Sequence, residues 1–332
     1  MVRKRRSAGQ ASGGIIAGFD QQIFRTLPPA EELVAKGTPL APVAASGGGT
    51  LTVGLPEEPA SPAPGGPGLD LDMLRLDGPG VQAIIDLGHG GRLASFAVHG
   101  RELLVTERSS PMAWGSFPMA PFAGRVRDGA FTFRGRRWQL PIDMPPHAIH
   151  GTVLDRAWRM LDDRTIVTDL GPDWPFAGRV IQRFELNDGR LSFRLEVHAD
   201  EPMPASIGWH PWFVRQPPGV AGTLQLDLAA GAMYRRDAAG IATTDRTAPV
   251  PGPWDDCFTD LRRPPVLRWP DFLELTIGSD CHDWVVYTIP TEALCVEPQT
   301  APPDALNTGP AIVEPGRPLI AQMTWTWRSV AA

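Results

Sequence analysis

From residue 71 onward, apolar positions come in short runs with a period of two, interrupted by glycine and proline. Residues 71–76 and 81–87 read as strands on either side of Gly78-Pro79-Gly80, and 92–99 and 102–106 continue the series around Gly100. Phe131 and Phe133 alternate with polar neighbours, and after Arg134-Gly135-Arg136 the run resumes with Trp138 and Leu140, a hairpin signal. Residues 180–186 and 191–197 flank Asn187-Asp188-Gly189, with Phe193, Leu195 and Val197 on one face. Leu224, Leu226 and Leu228 alternate again. Residues 272–277, 284–289 and 319–327 complete the series, the last with Met323, Trp325 and Trp327 on a common face. No apolar stripe of helical period exceeds three turns. Many short strands with Gly/Pro turns predict an all-β protein, sandwich or barrel.

Residues 1–70 lack this texture. They hold a Pro/Ala/Gly segment at 57–68 and a glycine-rich one at 44–50, too poor in apolar side chains to offset the entropy of ordering. They are expected to form a disordered, low-complexity extension, with 71–332 as a single folded domain. Met1-Val2-Arg3-Lys4-Arg5-Arg6 is basic, but no apolar core follows it as a secretory signal requires. No run reaches transmembrane length, so no membrane partner is expected. Pro 36 and Gly 35 make up about a fifth of the 332 residues, which suits a turn-rich β architecture. A formal charge of -6 argues against nucleic acid. Cys257, Cys281 and Cys295 are odd in number and lack metal-type spacing, which excludes a disulfide scaffold and points to a reducing, cytoplasmic setting.

Candidate chemistry begins at Ile207-Gly208-Trp209-His210-Pro211-Trp212-Phe213, where a histidine lies between two indoles. Pro211 keeps His210 out of the α region. Trp209 and Trp212 would then wall a ring-shaped ligand, or else pack in the core at a turn with His210 as a hydrogen-bonded passenger. His147 and His150, three apart in a proline-bounded loop, are either ligand contacts or surface histidines. His198, beside Asp200 at a strand end, is expected to be solvated. Glu297 ends an apolar run before Pro298 and is expected at a strand exit, where burial would raise its pKa into the range of a general base. Asp255 and Asp256, beside Trp254, would suit calcium or sugar hydroxyls, and Arg125 could fork onto two vicinal hydroxyls. One histidine, one glutamate, hydroxyl-reading groups and indole walls make a sugar site, and leave enzyme and lectin-like module both open.

These residues fall in ordered segments: Ala123-Gly124-Arg125-Val126 with Gly129-Ala130-Phe131; His147-Ala148-Ile149-His150-Gly151; Gly208-Trp209-His210-Pro211-Trp212-Phe213; Trp254-Asp255-Asp256-Cys257-Phe258; Glu297-Pro298-Gln299-Thr300 with Pro303-Asp304-Ala305-Leu306-Asn307; and 319–327 behind Glu314-Pro315-Gly316. In order and approximate spacing the set resembles the aldose 1-epimerase (galactose mutarotase) family across 72–330. The resemblance implies a large antiparallel β-sandwich, the galactose mutarotase-like supersandwich, with a monosaccharide in an open cleft. It implies His210 as general acid and Glu297 as general base, with Arg125, His150 and Asp255 on substrate hydroxyls and His147 a lesser contact. The implied reaction interconverts the α and β anomers of a free aldohexose through the open-chain aldehyde and needs no cofactor and no metal. His147, His150, His210 and Glu297 have ligand chemistry suited to a metal site, but the family pattern uses the same side chains without metal. Two departures stand out: Gly124 where the family usually has asparagine, and tryptophans around His210 where tyrosine is commoner.

Two other functions stay open. One is a non-catalytic carbohydrate-binding or regulatory module. The other is a mutarotase for hexose 6-phosphates, with Arg127, Arg134, Arg136 and Arg137 forming a phosphate pocket. For the catalytic reading, Glu297 is expected deprotonated and His210 protonated. Free groups of this kind titrate near about 4.3 and about 6.5, and mutual attraction would widen the window between them, with Glu297 on the acidic limb and His210 on the alkaline limb.

Overall fold

The computed structural model describes residues 72–107 and 110–330. The N-terminal extension expected over 1–70 lies outside the described residues. Two large antiparallel sheets dominate. In neighbour order the first comprises Met73–Gly78, Val81–Asp86, Arg92–Val98, Ser116–Met119, Gly208–Val214, Ala293–Gln299, Asp283–Tyr287, Asp255–Leu261, Ala230–Arg236 and Ala242–Thr247, with Arg101–Glu102 attached to Arg92–Val98. The second comprises Arg159–Met160, Thr165–Asp169, Gly178–Asn187, Arg190–Ala199, Leu319–Ser329, Leu273–Ser279, Val266–Trp269 and Gln225–Asp227. The expected all-β antiparallel sandwich is therefore what the chain forms. Among the described residues no helix is long and apolar enough to cross a membrane.

Period-two alternation builds the core between the sheets. The hairpin of Gly178–Asn187 and Arg190–Ala199 pairs Phe184 with Phe193 across its ladder and turns at Asp188-Gly189. Phe193 meets Trp325 at 5.0 Å between ring centroids and reaches Trp209 of the first sheet at 6.3 Å. Phe213, also of the first sheet, meets Trp325 at 5.0 Å. A side chain as large as Trp209 contributes on the order of 5 kcal/mol when buried, taking about 200 Å² at about 25 cal/mol per Å². Its polar tip is provided for. The Trp209 indole N–H donates to Gln182 Oε1 at 2.8 Å, and the Gln182 amide donates to the Gly91 carbonyl at 2.9 Å.

In the first sheet the sequence pattern overlooks two central strands and ends a third too early. Ser116–Met119, Gly208–Val214 and Ala293–Gln299 each contain a proline: Pro118, Pro211 and Pro298. Proline lacks the N–H a ladder needs, so a proline-bearing run reads as an edge or a turn. Here all three runs are central. The run of leucines at 224–228, read as a full strand, contributes only Gln225–Asp227.

Candidate active site

The ladder between Gly208–Val214 and Ala293–Gln299 joins Gly208 to Gln299 and Trp212 to Cys295, and skips the positions between. Pro211 and Pro298 both fall in that gap, where neither has an N–H to donate. The register, carried through, sets His210 opposite Glu297. Alternate residues face opposite sides of a sheet. Trp209, Phe213, Leu294 and Val296 accordingly enter the core, while His210, Trp212, Cys295, Glu297 and Gln299 share the other face. Glu297 therefore lies within a central strand, not at the strand exit expected of it.

His210 Nε2 stands 3.3 Å from Glu297 Oε1. The imidazole is stacked between Phe117 (4.8 Å, 23°) and Trp212 (5.3 Å, 15°). Both walls were expected to be indoles. Strand alternation instead turns Trp209 into the core, and Phe117 of Ser116–Met119 takes its place. His150 stands edge-on to His210 at 4.9 Å and 90°. Beneath Phe117 lies the buried guanidinium of Arg92, 5.1 Å from the ring centroid, its N–H groups donating to the carbonyls of His89, Pro111, Trp114 and Leu154.

Burial governs how these groups titrate. It pushes Glu297 well above the usual carboxyl range, helped by the negative charge of Asp255 and opposed by Arg125 and the Gln299 amide. It pulls His210 down to about 3, with the positive charge of Arg92 adding to the effect. His150 is held well below its ordinary value by burial, then by His210 and Arg125. The expected pairing of carboxylate with imidazolium is thereby reversed. At 1% and 5% exposure, Glu297 and His210 lose more solvation as ions than their attraction returns. Both shifts favour the neutral forms, so a proton shared by the pair is favoured on Glu297 over His210.

The rim is half-buried and polar. Arg125 Nη2 lies 3.3 Å from Asp255 Oδ2, and Arg236 Nη1 lies 3.5 Å from the same oxygen. Arg236 Nε is 3.0 Å from Asp256 Oδ1. The two acids therefore face arginines, an arrangement suited to hydroxyls and unsuited to calcium, which needs several uncommitted oxygens. Arg125–Val126 pairs with Ala148–Ile149, which delivers His150 at φ 60 with Gly151 behind it at φ +85. The His150 N–H donates to the Gly124 carbonyl at 3.0 Å. Gly124 itself has φ +68, and a Cβ there would lie 2.9 Å from the Pro303 ring, so a side chain at this position would be strained and crowded. The neighbouring Asp304 fixes the same strand: its N–H donates to the Arg125 carbonyl at 2.7 Å and its Oδ1 accepts from the Arg127 N–H at 2.9 Å.

Arg125, His150, His210, Asp255 and Glu297 thus converge. His147 Nδ1 accepts from the Asp128 N–H at 3.1 Å. His198, expected in solvent, is buried and bonded to Glu196 at 2.9 Å. Three of the arginines considered for a phosphate pocket have partners of their own. Arg127 pairs with Asp237 and Asp304, Arg134 lies over Phe133, and Arg136 lies over Trp138. Sequence reasoning missed Phe117, Arg236 and Gln299. Gln299 could have been found: it lies two residues from Glu297, hence on the same face, and its amide donates to Glu297 Oε2 at 3.3 Å. A separate cavity lined by Pro111, Met112, Leu140, Pro141, Gly151 and Thr152 adjoins the site at Gly151, but it contains neither member of the pair.

The fold is that of the galactose mutarotase-like proteins. A structure of a galactose mutarotase-like protein from Clostridium acetobutylicum superposes with a TM-score of 0.66 at 16% identity, covering 77% of this chain and 95% of that one. The sequence matches the family described as Aldose 1-epimerase over residues 72–325, and the chain belongs to that family. Two uncharacterized proteins of Escherichia coli (strain K12) are similar to it. YihR is 26% identical over 272 residues, which is 71% of this chain and 86% of YihR. YphB is 32% identical over 108 residues, which is 30% of this chain and 37% of YphB.

Proposed function

We propose that the protein is an aldose 1-epimerase that interconverts the α and β anomers of a free aldohexose. The observation that carries this reading is the buried His210–Glu297 pair, 3.3 Å apart. In ring opening, the proton of the C1 hydroxyl passes to Glu297. The C1–O5 bond breaks with its electrons going to O5, and O5 takes a proton from His210. Rotation about C1–C2 and the reverse transfers close the ring on the other face. Arg125, Asp255 and His150 hold sugar hydroxyls, and Trp212 offers a flat wall to the ring.

The proton bookkeeping supports this assignment. Ring opening leaves Glu297 as the acid and His210 as neutral imidazole, which is the state that burial favours in the free protein. The site is therefore electrostatically matched to the open-chain aldehyde, and the charged pair that starts the reaction is the higher-energy tautomer with the same proton count.

Polarimetry on freshly dissolved α-sugars tests the proposal. Glu297→Gln and His210→Asn should each lower turnover by at least about 10², the scale of a positioned acid or base, with sugar affinity by calorimetry within a few-fold. Variants that match the wild-type rate would remove the pair from the chemistry. Sugar binding without faster anomer exchange in the wild type would make the protein a binding module.

A further inference from the structure

The family reaction does not use Cys295, yet its place is specific. It lies two residues from Glu297 on the same face and opposite Trp212 in the ladder. Its Sγ, a ring nitrogen of His210 and a carboxyl oxygen of Glu297 all lie within 4.8 Å of one another, and all three residues are buried. Among the described residues this is the one group of three or more His, Cys, Asp or Glu side chains drawn so close.

We propose that His210, Cys295 and Glu297 form a zinc site that switches the protein off. The binding half of the proposal stands on the cluster alone. The inhibitory half rests on the reading of His210 and Glu297 as the acid–base pair.

Three features select the ion. An imidazole nitrogen, a sulfur and a carboxyl oxygen are zinc donors, whereas calcium and magnesium require sets of oxygens. Zinc bonds of roughly 2.0–2.3 Å in a tetrahedron place donor atoms roughly 3.3–3.7 Å apart. The imidazole and carboxyl already stand at 3.3 Å and the sulfur lies within 4.8 Å of both donors, so the thiol alone must approach, by at most roughly 1.3 Å. Charge balances as well: the ion enters as a dication, the Cys295 thiol and the Glu297 carboxyl each release a proton, and His210 stays neutral. The buried site then carries no net charge, which a low-dielectric interior demands. A three-ligand zinc site leaves a fourth position for water. With the metal in place, the His210 ring nitrogen and the Glu297 charge are committed to the ion, so the pair can no longer act as acid and base toward a sugar.

Cobalt(II) is the optical probe, used with the reduced full-length chain. One equivalent should produce a thiolate-to-cobalt absorption band in the near ultraviolet, and zinc should displace it. Cys295→Ser should abolish the band and weaken zinc binding at least tenfold, with its circular dichroism unchanged. Glu297→Gln, which leaves the thiol in place, should keep a weakened band. In polarimetry, zinc should slow the wild type and a chelator should restore it. Cys295→Ser, measured against its own zinc-free rate, should need at least tenfold more zinc for the same slowing. No thiolate band in the wild type, or the same band in Cys295→Ser, would overturn the site. Stoichiometric binding without any change in rate would keep the site and overturn the inhibition. Failure of the wild type to catalyse anomer exchange at all would defeat the proposed function while leaving the cobalt measurement intact.

Discussion

The proton shared by His210 and Glu297 gives the residue scale its sharpest prediction. Below about 3 the imidazole takes up a second proton, and above the raised pKa of Glu297 the pair loses the one it has. The profile of kcat/KM, which reports free-enzyme groups, should therefore have Glu297 on the alkaline limb and His210 on the acidic one. Asp255 raises the Glu297 pKa and Arg125 opposes it. Asp255→Asn should accordingly move the alkaline limb to lower pH, and Arg125→Gln should move it to higher pH, whatever either does to the plateau. A limb that ignores both substitutions, or moves in the opposite sense, would show that Glu297 does not set it. The residue types of this site were legible in the sequence, since His210, Glu297, Arg125, Asp255 and His150 all carry the family pattern. Their protonation was not. Attraction between opposite charges can be guessed from identity alone, but the desolvation that outweighs it depends on 1% and 5% exposures that only packing decides.

At the scale of elements, the pair exists because two proline-bearing strands lie side by side in one register. Gly208 opens the first of them, and a Cβ there would lie 2.4 Å from the Pro298 carbonyl oxygen. Gly208→Ala must push the two strands apart. Overpacking of this kind costs about 1–3 kcal/mol, a fall of roughly 2–10 °C in the thermal midpoint for a domain of this size, and the rate should drop by more than stability explains. An unchanged midpoint and rate would mean that the strands are not held so tightly. The alternating runs without proline, such as Phe193-Leu195-Val197 and Met323-Trp325-Trp327, were readable as strands, because their pattern is what a half-buried sheet imposes. Ser116–Met119 and Gly208–Val214 were not, because Pro118 and Pro211 mimic turns. No local rule pairs Gly208–Val214 with Ala293–Gln299, about 80 residues further on. The role of Pro303 and Asp304 was hidden for the same reason: their partners, Gly124 and Arg125, are distant in sequence.

For the whole molecule, stability and chemistry meet at the strand Gly208–Val214, which is clamped from behind by the second sheet. Gln182→Leu would leave the Trp209 indole N–H and the Gly91 carbonyl without their partner. Each stranded buried group costs about 1–3 kcal/mol, so chemical denaturation should show a loss of at least about 2 kcal/mol. A variant as stable as the wild type would refute the clamp. The same strand has a second meaning for anyone who wishes to rewrite the protein. Neighbours along the chain point away from each other, so Trp209 and Phe213 belong to one design problem while His210 and Trp212 belong to another. Substrate preference could be explored with libraries confined to the outward positions of a few strands, such as Trp212, Arg236, Asp255 and Tyr287, while the inward positions stay constant. Changes on opposite sides of a sheet share few partners and should combine additively. The sheet thus works as a printed page whose reverse carries the binding: text on one side can be reset without loosening the book.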